Sequence, residues 1–245
     1  MGASGSFIVI TIKRPEGGDP MRVVERFANL EALSRSAAEH IAQQAAKAVA
    51  ERGAYSIALS GGSTPRRLYQ LLASDYAARL PWEHIHIYWS DERCVPPTSE
   101  ESCYRLAKEL LLDHVSLRED QIHRIDGETD PAEAARRYEA LLPERIDTVL
   151  LGMGGDGHTA SLFPGTAALQ VTDRRVVENY VPKLSMWRIT FTYPQINAAR
   201  EALILVAGAD KQPQVEMALS ESPSPPLPVQ GVNPVDGDVV WMIAT

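Results

Sequence analysis

Apolar positions along the chain follow two periods that take turns. Across residues 30–51, Leu33, Ala37, Ile41, Ala45 and Val49 recur at helical spacing, with Asn29 as a candidate N-cap and Gly53 as a stop. Short apolar runs at 55–60, 84–90, 121–125, 147–151, 176–181, 188–193, 202–207 and 239–244 read as strands. Between them, further helices are predicted from Pro65 through Leu72, over 99–112, from an Asp130-Pro131-Ala132-Glu133 capping signature to Leu142, briefly from Pro194, and over 210–219. At the start, 7–12 and 22–27 flank a turn-like KRPEGGDP and predict a β-hairpin. A link rich in proline (Pro223, Pro225, Pro226, Pro228) leads to the last strand.

Strands alternating with helices predict an α/β fold: a mainly parallel sheet with helices on both faces. No repeat or second domain is visible, so residues 1–245 read as a single domain. Ligands in such sheets bind beyond the C-terminal ends of the strands. Three motif-bearing loops, 60–65, 90–97 and 152–158, follow predicted strands and so belong at that edge.

Composition narrows the function. Of 245 residues, 44% are hydrophobic and 23% charged, ordinary for a globular protein. The formal net charge of −8 argues against nucleic acid or an anionic membrane as partner, while leaving room for an anionic small molecule in a locally cationic loop. The first apolar run is too short to span a membrane and lacks the basic start of a signal peptide. With only Cys94 and Cys103, a disulfide framework is not expected and a reducing, cytoplasmic setting is. Cys94, without an adjacent base, reads as a thiol with no role.

The loop of Leu150–Pro164, LLGMGGDGHTASLFP, holds four glycines, Gly152, Gly154, Gly155 and Gly157, together with Asp156 and His158. Gly152-x-Gly154-x-x-Gly157 matches a dinucleotide fingerprint, and Glu178 falls about twenty residues later. That reading fails: Pro164 and Gly165 interrupt the helix that must follow, and Asp156 would face a pyrophosphate. An acid and a His two residues apart suit proton transfer. The turn Gly61-Gly62-Ser63-Thr64-Pro65, between a strand and a helix start, offers free N–H groups, two hydroxyls and a helix dipole to a phosphate, with Thr64 as candidate cap. In Asp91-Glu92-Arg93, Arg93 could orient an anion and Asp91 a hydroxyl or a proton. Arg188 and Lys211, on and after late strands, could each neutralise a phosphate. His84 and His86, on one predicted strand face, have no third ligand at a metal-site spacing, so no metal is expected. No Gly-x-Ser-x-Gly elbow is present.

Taken together, the segments ALSGGSTPRRLY, IYWSDERCVPPTSEESCYRL, LLGMGGDGHTASLFPG and RITFTYPQINAAR, with VAGADKQ after them, resemble the family of glucosamine-6-phosphate isomerases and 6-phosphogluconolactonases. The resemblance runs from Leu59 to Lys211 over three ordered motifs. It implies a Rossmann-like α/β fold with no cofactor and a sugar-phosphate lactone as small-molecule partner, in a monomer or small homo-oligomer. It implies that Gly62, Ser63 and Thr64 bind the sugar phosphate, with Arg188 and Lys211 as its cations. Arg93 is similar to an active-site arginine of the family, and His158 matches its catalytic histidine.

The isomerase/deaminase branch of the family shares Asp91, Asp156 and His158 but uses a glutamate five residues after the histidine for ring opening. Here that position is Phe163. The lactonase branch is therefore expected: hydrolysis of 6-phospho-D-glucono-1,5-lactone to 6-phospho-D-gluconate, the second step of the oxidative pentose phosphate pathway. A glucosamine 6-phosphate isomerase/deaminase and a non-catalytic sugar-phosphate sensor are the alternatives. In the expected reaction His158 takes a proton from the attacking water, and glycine-loop N–H groups or Arg93 hold the oxyanion. Asp156 orients either the imidazole or the loop.

Overall fold

The computed structural model describes residues 8–12, 22–220 and 226–244. The KRPEGGDP turn, Phe7, and Pro223 and Pro225 of the proline-rich link lie outside them.

Strands β1 (Ile8–Ile12) and β2 (Arg22–Phe27) pair antiparallel, as the hairpin reading expects. Helix α1 (Leu30–Arg52) starts where Asn29 accepts the Ala32 N–H at 2.9 Å, and ends at Gly53 in the left-handed conformation, φ 81°. Then come β3 (Tyr55–Leu59), α2 (Pro65–Ala73), β4 (Ile85–Trp89), β5 (Asp91–Arg93), α3 (Cys103–Leu110) and α4 (Pro131–Leu141). The second half contains β6 (Thr148–Gly152), β7 (Val176–Val181), β8 (Met186–Phe191), α5 (Tyr193–Asn197), β9 (Glu201–Ala207), α6 (Gln212–Leu219) and β10 (Asp238–Ala244).

The main sheet has the order β1-β2-β10-β9-β6-β3-β4, parallel throughout except for β1. Alternation along the strands puts Tyr55, Ile57, Leu59, Ile85 and Ile87 against Ile41 of α1 and Leu72 of α2. Nearer α4, the buried Tyr138 hydroxyl bonds the Trp89 backbone, accepting from its N–H at 2.7 Å and donating to its carbonyl at 3.0 Å. From β3 the chain moves outward to β4; from β6 it moves the other way, to β9. The adjacent C-terminal ends of β3 and β6 thus form the topological switch point, where α/β sheets bind ligands.

Several local expectations change. Asp91-Glu92-Arg93 is not a loop but strand β5, paired antiparallel with β8, which pairs with β7, in a separate three-stranded sheet. The helix expected from Ser99 begins only at Cys103, because the buried Glu92 carboxylate accepts from the N–H groups of Cys103 and Tyr104, both at 2.8 Å, and holds the helix start there. The strand expected over 121–125 is reduced to one bridge, Ile122 to Ile87. Gln121 spends its amide on the carbonyls of Trp82 and Ile85 and sits in a 3-10 turn. His84 closes the 3-10 turn Trp82–His84 rather than sharing the strand with His86.

Candidate active site

A cavity of about 240 Å³ lies over the switch point. It is lined by Gly62, Ser63 and Thr64 after β3, Asp91 and Arg93 of β5, His158 beyond β6, Arg188 of β8 and Lys211 beyond β9. The residues assigned to catalysis or phosphate binding from the sequence all line this one space except Asp156, which bonds the His158 ring.

The turn after β3 is shaped by Gly62, with φ 92°. Its neighbour Gly61 has the Cys103 sulfur and the Arg93 guanidinium where a Cβ would be, at 2.5 and 3.0 Å, so only glycine lets Arg93 lie this close. Among the described residues, none accepts from the N–H groups of Gly62, Ser63 or Thr64. Thr64 does not cap α2 as expected. It is already helical, φ −60° and ψ −46°, and Pro65 occupies the first position. The threonine hydroxyl is thereby left to the cavity.

The cations are held differently. Arg93 donates through Nη1 to the Glu101 carbonyl at 2.8 Å and to the Cys103 sulfur at 3.2 Å. Arg188 sits directly across from it in the β5–β8 ladder. Arg188 is 9% exposed, and among the described residues it has no ion-pair partner and no acceptor for its buried Nε. Burial pushes its pKa below the usual arginine value, against the pull of Asp91. Lys211 has no ion-pair partner among the described residues either. Among the described residues the one carboxylate lining the cavity, Asp91, is buried and accepts from the Ser161 hydroxyl at 2.6 Å.

In the glycine loop, Gly154 donates to the His158 carbonyl at 2.9 Å and Gly157 to the Gly154 carbonyl at 3.0 Å. Gly157 has φ 75° and the Leu227 side chain where a Cβ would be. No helix follows the third glycine: the next segment is a turn bridged Thr159 to Leu162, with Ala160 at the strained φ of 46°. That is the feature on which the dinucleotide reading failed.

Asp156 Oδ1 lies 2.5 Å from His158 Nδ1, and its other oxygen takes the Lys183 ammonium. Burial works to raise the Asp156 pKa, but hydrogen bonds from Lys183 and His158 outweigh it and hold the carboxyl down at about 2. A carboxylate can only accept, so Nδ1 carries the proton in the neutral ring and Nε2 carries the lone pair. Among the described residues, nothing bonds Nε2. Burial pushes the His158 pKa below the ordinary value, more than Asp156 raises it, which favours the uncharged ring. It stacks on Phe163, centroids 3.9 Å apart.

The small sheet holds this loop in place. Asp91 of β5 takes the Ser161 hydroxyl, Thr190 of β8 accepts the Ser161 N–H at 3.1 Å, and Asn179 of β7 donates to the Ser161 carbonyl and to Thr166 Oγ1, both at 2.9 Å. Sequence reading missed Ser161, Asn179, Thr190 and Lys183, since nothing local marks contacts made across the fold. Cys94 is half-buried and does not line the cavity; burial pushes its thiol up to about 11, consistent with a sulfur that does no chemistry.

A family model for glucosamine-6-phosphate isomerases/6-phosphogluconolactonases matches residues 28–241. The chain is 38% identical over 234 residues to a 6-phosphogluconolactonase of Nostoc sp., covering 91% of this chain and 95% of that protein. It is 40% identical over 203 residues to one of Synechocystis sp., covering 78% and 82%. The crystal structure of 6-phosphogluconolactonase from Thermotoga maritima superposes with a TM-score of 0.81 at 27% identity, covering 91% of this chain and all of that one (100%).

Proposed function

From the premise that this chain belongs to the glucosamine-6-phosphate isomerase/6-phosphogluconolactonase family, we propose that it hydrolyses 6-phospho-D-glucono-1,5-lactone to 6-phospho-D-gluconate, the second step of the oxidative pentose phosphate pathway. The observation that carries this reading is that the Asp156–His158 pair opens onto the same cavity as the Gly62-Ser63-Thr64 turn and three cations.

The phosphate sits on the N–H groups and hydroxyls of that turn, at the start of α2, with Arg188 and Lys211 neutralising it. Anchored there, the ring presents C1 to His158. Nε2 removes a proton from water as the water oxygen bonds to C1. Arg93 is the better candidate for holding the oxyanion, because the Gly154 and Gly157 N–H groups are spent inside their own loop. The C1–ring oxygen bond then breaks, and His158 returns its proton to that oxygen. Asp156 fixes the tautomer, and Asp91, with one oxygen tied to Ser161, orients a sugar hydroxyl. The phosphate lies remote from the bond broken, so its binding energy acts by positioning.

Phe163 weighs against ring opening and deamination, since a buried aromatic ring lies on His158 where the sister branch has a carboxylate. The Asp156–His158 pair weighs against a sensor without catalysis. Free thiols at Cys94 and Cys103 support a cytoplasmic setting.

The test is hydrolysis of phosphorylated and unphosphorylated gluconolactone side by side, corrected for spontaneous opening, with ammonia release from glucosamine 6-phosphate as the control. A large preference for the phosphorylated lactone is expected. Equal rates on both would remove the phosphate site, and ammonia release would move the chain to the other branch.

A further inference from the structure

Lys183 lies outside the motifs and does not line the cavity, yet two of its contacts converge on the imidazole. It sits at the tip of the β7–β8 hairpin, in the 3-10 turn Pro182–Leu184, which closes at Ser185 with φ 48°. Its ammonium pairs with Asp156 Oδ2, while Oδ1 of the same carboxylate holds His158 Nδ1. It also lies 4.8 Å from the centroid of the Phe163 ring, which stacks on His158. The strands that carry the tip, through Asn179 and Thr190, also hold the Ser161 turn that follows the histidine.

We propose that Lys183 is a positioning residue for the hydrolysis: from the hairpin tip it fixes Asp156 and Phe163 against His158 and so keeps the imidazole in its working orientation and tautomer. A carboxylate gripped at one oxygen can rotate; gripped at both, it directs one lone pair at Nδ1. Phe163 touches both the ammonium and the imidazole, and its stacked ring limits tilting of the imidazole.

The charges facing His158 give the clamp a second readout. Asp156 from its own loop and Asp91 from β5 both favour the protonated ring, while Lys183 from the hairpin opposes them, in the same direction as burial. Arg93 and Arg188 share the cavity wall and are unchanged by substitutions at the tip. Losing Lys183 therefore leaves Asp156 unopposed, and His158 becomes harder to deprotonate. A half-exposed lysine paired at a surface adds little to folding, so its removal leaves the fold intact.

This inference rests on His158 being the base of the proposed reaction. The test compares wild type with Lys183→Met and Lys183→Arg. For Lys183→Met, kcat should fall about 3- to 30-fold with KM within about twofold, a loss of orientation rather than of binding. The acid limb of kcat/KM should move up by roughly half a unit to one unit, the modest end of a charge effect for a solvent-screened cation. The His158 ring signals, followed by NMR without substrate, should titrate higher by the same amount, and Lys183→Arg should restore most of both. An acid limb and a His158 titration that stay put in Lys183→Met would overturn the proposal, even if kcat falls, as would an arginine variant no better than methionine. Failure of the wild type to open the lactone would sink the proposed function instead; the substrate-free titration would still decide the Lys183 contact.

Discussion

Arg188 is a cation that the folded protein holds at its own expense. It is buried, its Nε has no acceptor among the described residues, and Arg93 faces it across the β5–β8 ladder. A buried donor left unpaired costs about 1–3 kcal/mol, and like charges opposite each other on a sheet cost up to about 1 kcal/mol more. Arg188→Met keeps most of the packed stem and removes both costs, while Asp91 keeps its Ser161 hydrogen bond. The variant should therefore be more stable than wild type by about 1–2 kcal/mol, a rise in Tm of roughly 2–8 °C for a chain of this size. With ligand the variant's advantage should shrink by about 1.3–2.3 kcal/mol, which closes or reverses the gap. At a phosphogluconate concentration of about 100 Kd the wild type gains about 2.7 kcal/mol, whereas the variant, lacking a charge-assisted contact, should bind about 10- to 100-fold more weakly and gain roughly 0.4–1.4 kcal/mol. Calorimetric melting of both proteins, with and without 6-phosphogluconate, reads all four values. An Arg188→Met protein that melts below wild type without ligand would refute the argument, since the arginine would then be contributing to the fold.

Three further outcomes are expected. His158→Ala should lower kcat by about 10²–10⁴-fold with little change in KM; an unchanged kcat removes His158 from the mechanism. Gly154→Ala places a methyl 2.0 Å from His158 Cε1, so it should displace the ring and lower kcat while phosphogluconate still binds. Gly155→Ala, with nothing within 4 Å, is the control and should be silent. At the opposite end of the sheet, His40 Nε2 meets the buried Glu201 carboxylate at 2.8 Å. Burial lowers the His40 pKa, but Glu201 outweighs it and the net shift is upward. A raised folded-state pKa contributes stability that is complete below the unfolded value, near 6.5, and is lost as pH rises through the folded one. Denaturant melts should therefore show His40→Ala costing more at pH 6 than at pH 8.5; equal costs would mean the pair carries no charge-dependent stability.

The sequence made the parallel sheet legible because its signals are local. Helix α1 announces itself by spacing, by Asn29 and by Gly53, and the motif loops follow strands whose apolar runs are self-evident. The second sheet is different. Residues 91–93 pair with 188–190, nearly a hundred positions away, and periodicity reports that a segment is extended without reporting its partner. Asp91-Glu92-Arg93 reads as part of a loop, yet it is a strand in which Asp91 and Glu92 are buried for opposite reasons. Asp91 turns toward the cavity and Ser161, and Glu92 turns away to receive the N-terminus of α3. Strand alternation separates them, and it becomes readable only once β5 is known to be a strand. Lys183 had no signal at all, since its partner is 27 residues away across a turn and its role is defined by what Asp156 touches.

The same sorting explains how a chain of net charge −8 builds a cavity lined by three cations. Net charge counts acids without asking where they point. Glu92 is consumed by helix α3, Asp156 is shared between Lys183 and His158, and among the described residues Asp91 alone presents a carboxylate to the cavity. Against it stand Arg93, Arg188 and Lys211 with the N-terminal end of α2. The field that a ligand meets inside is cationic, while at a distance the protein repels it. Since surface charges are screened within about 8 Å at physiological ionic strength, capture depends on the local field, and the outer charge costs encounter rate only in dilute salt. Raising ionic strength from low to physiological should thus raise kcat/KM slightly or leave it unchanged. A steep fall would show that the cationic cavity governs the approach from far outside, contrary to this division of charge.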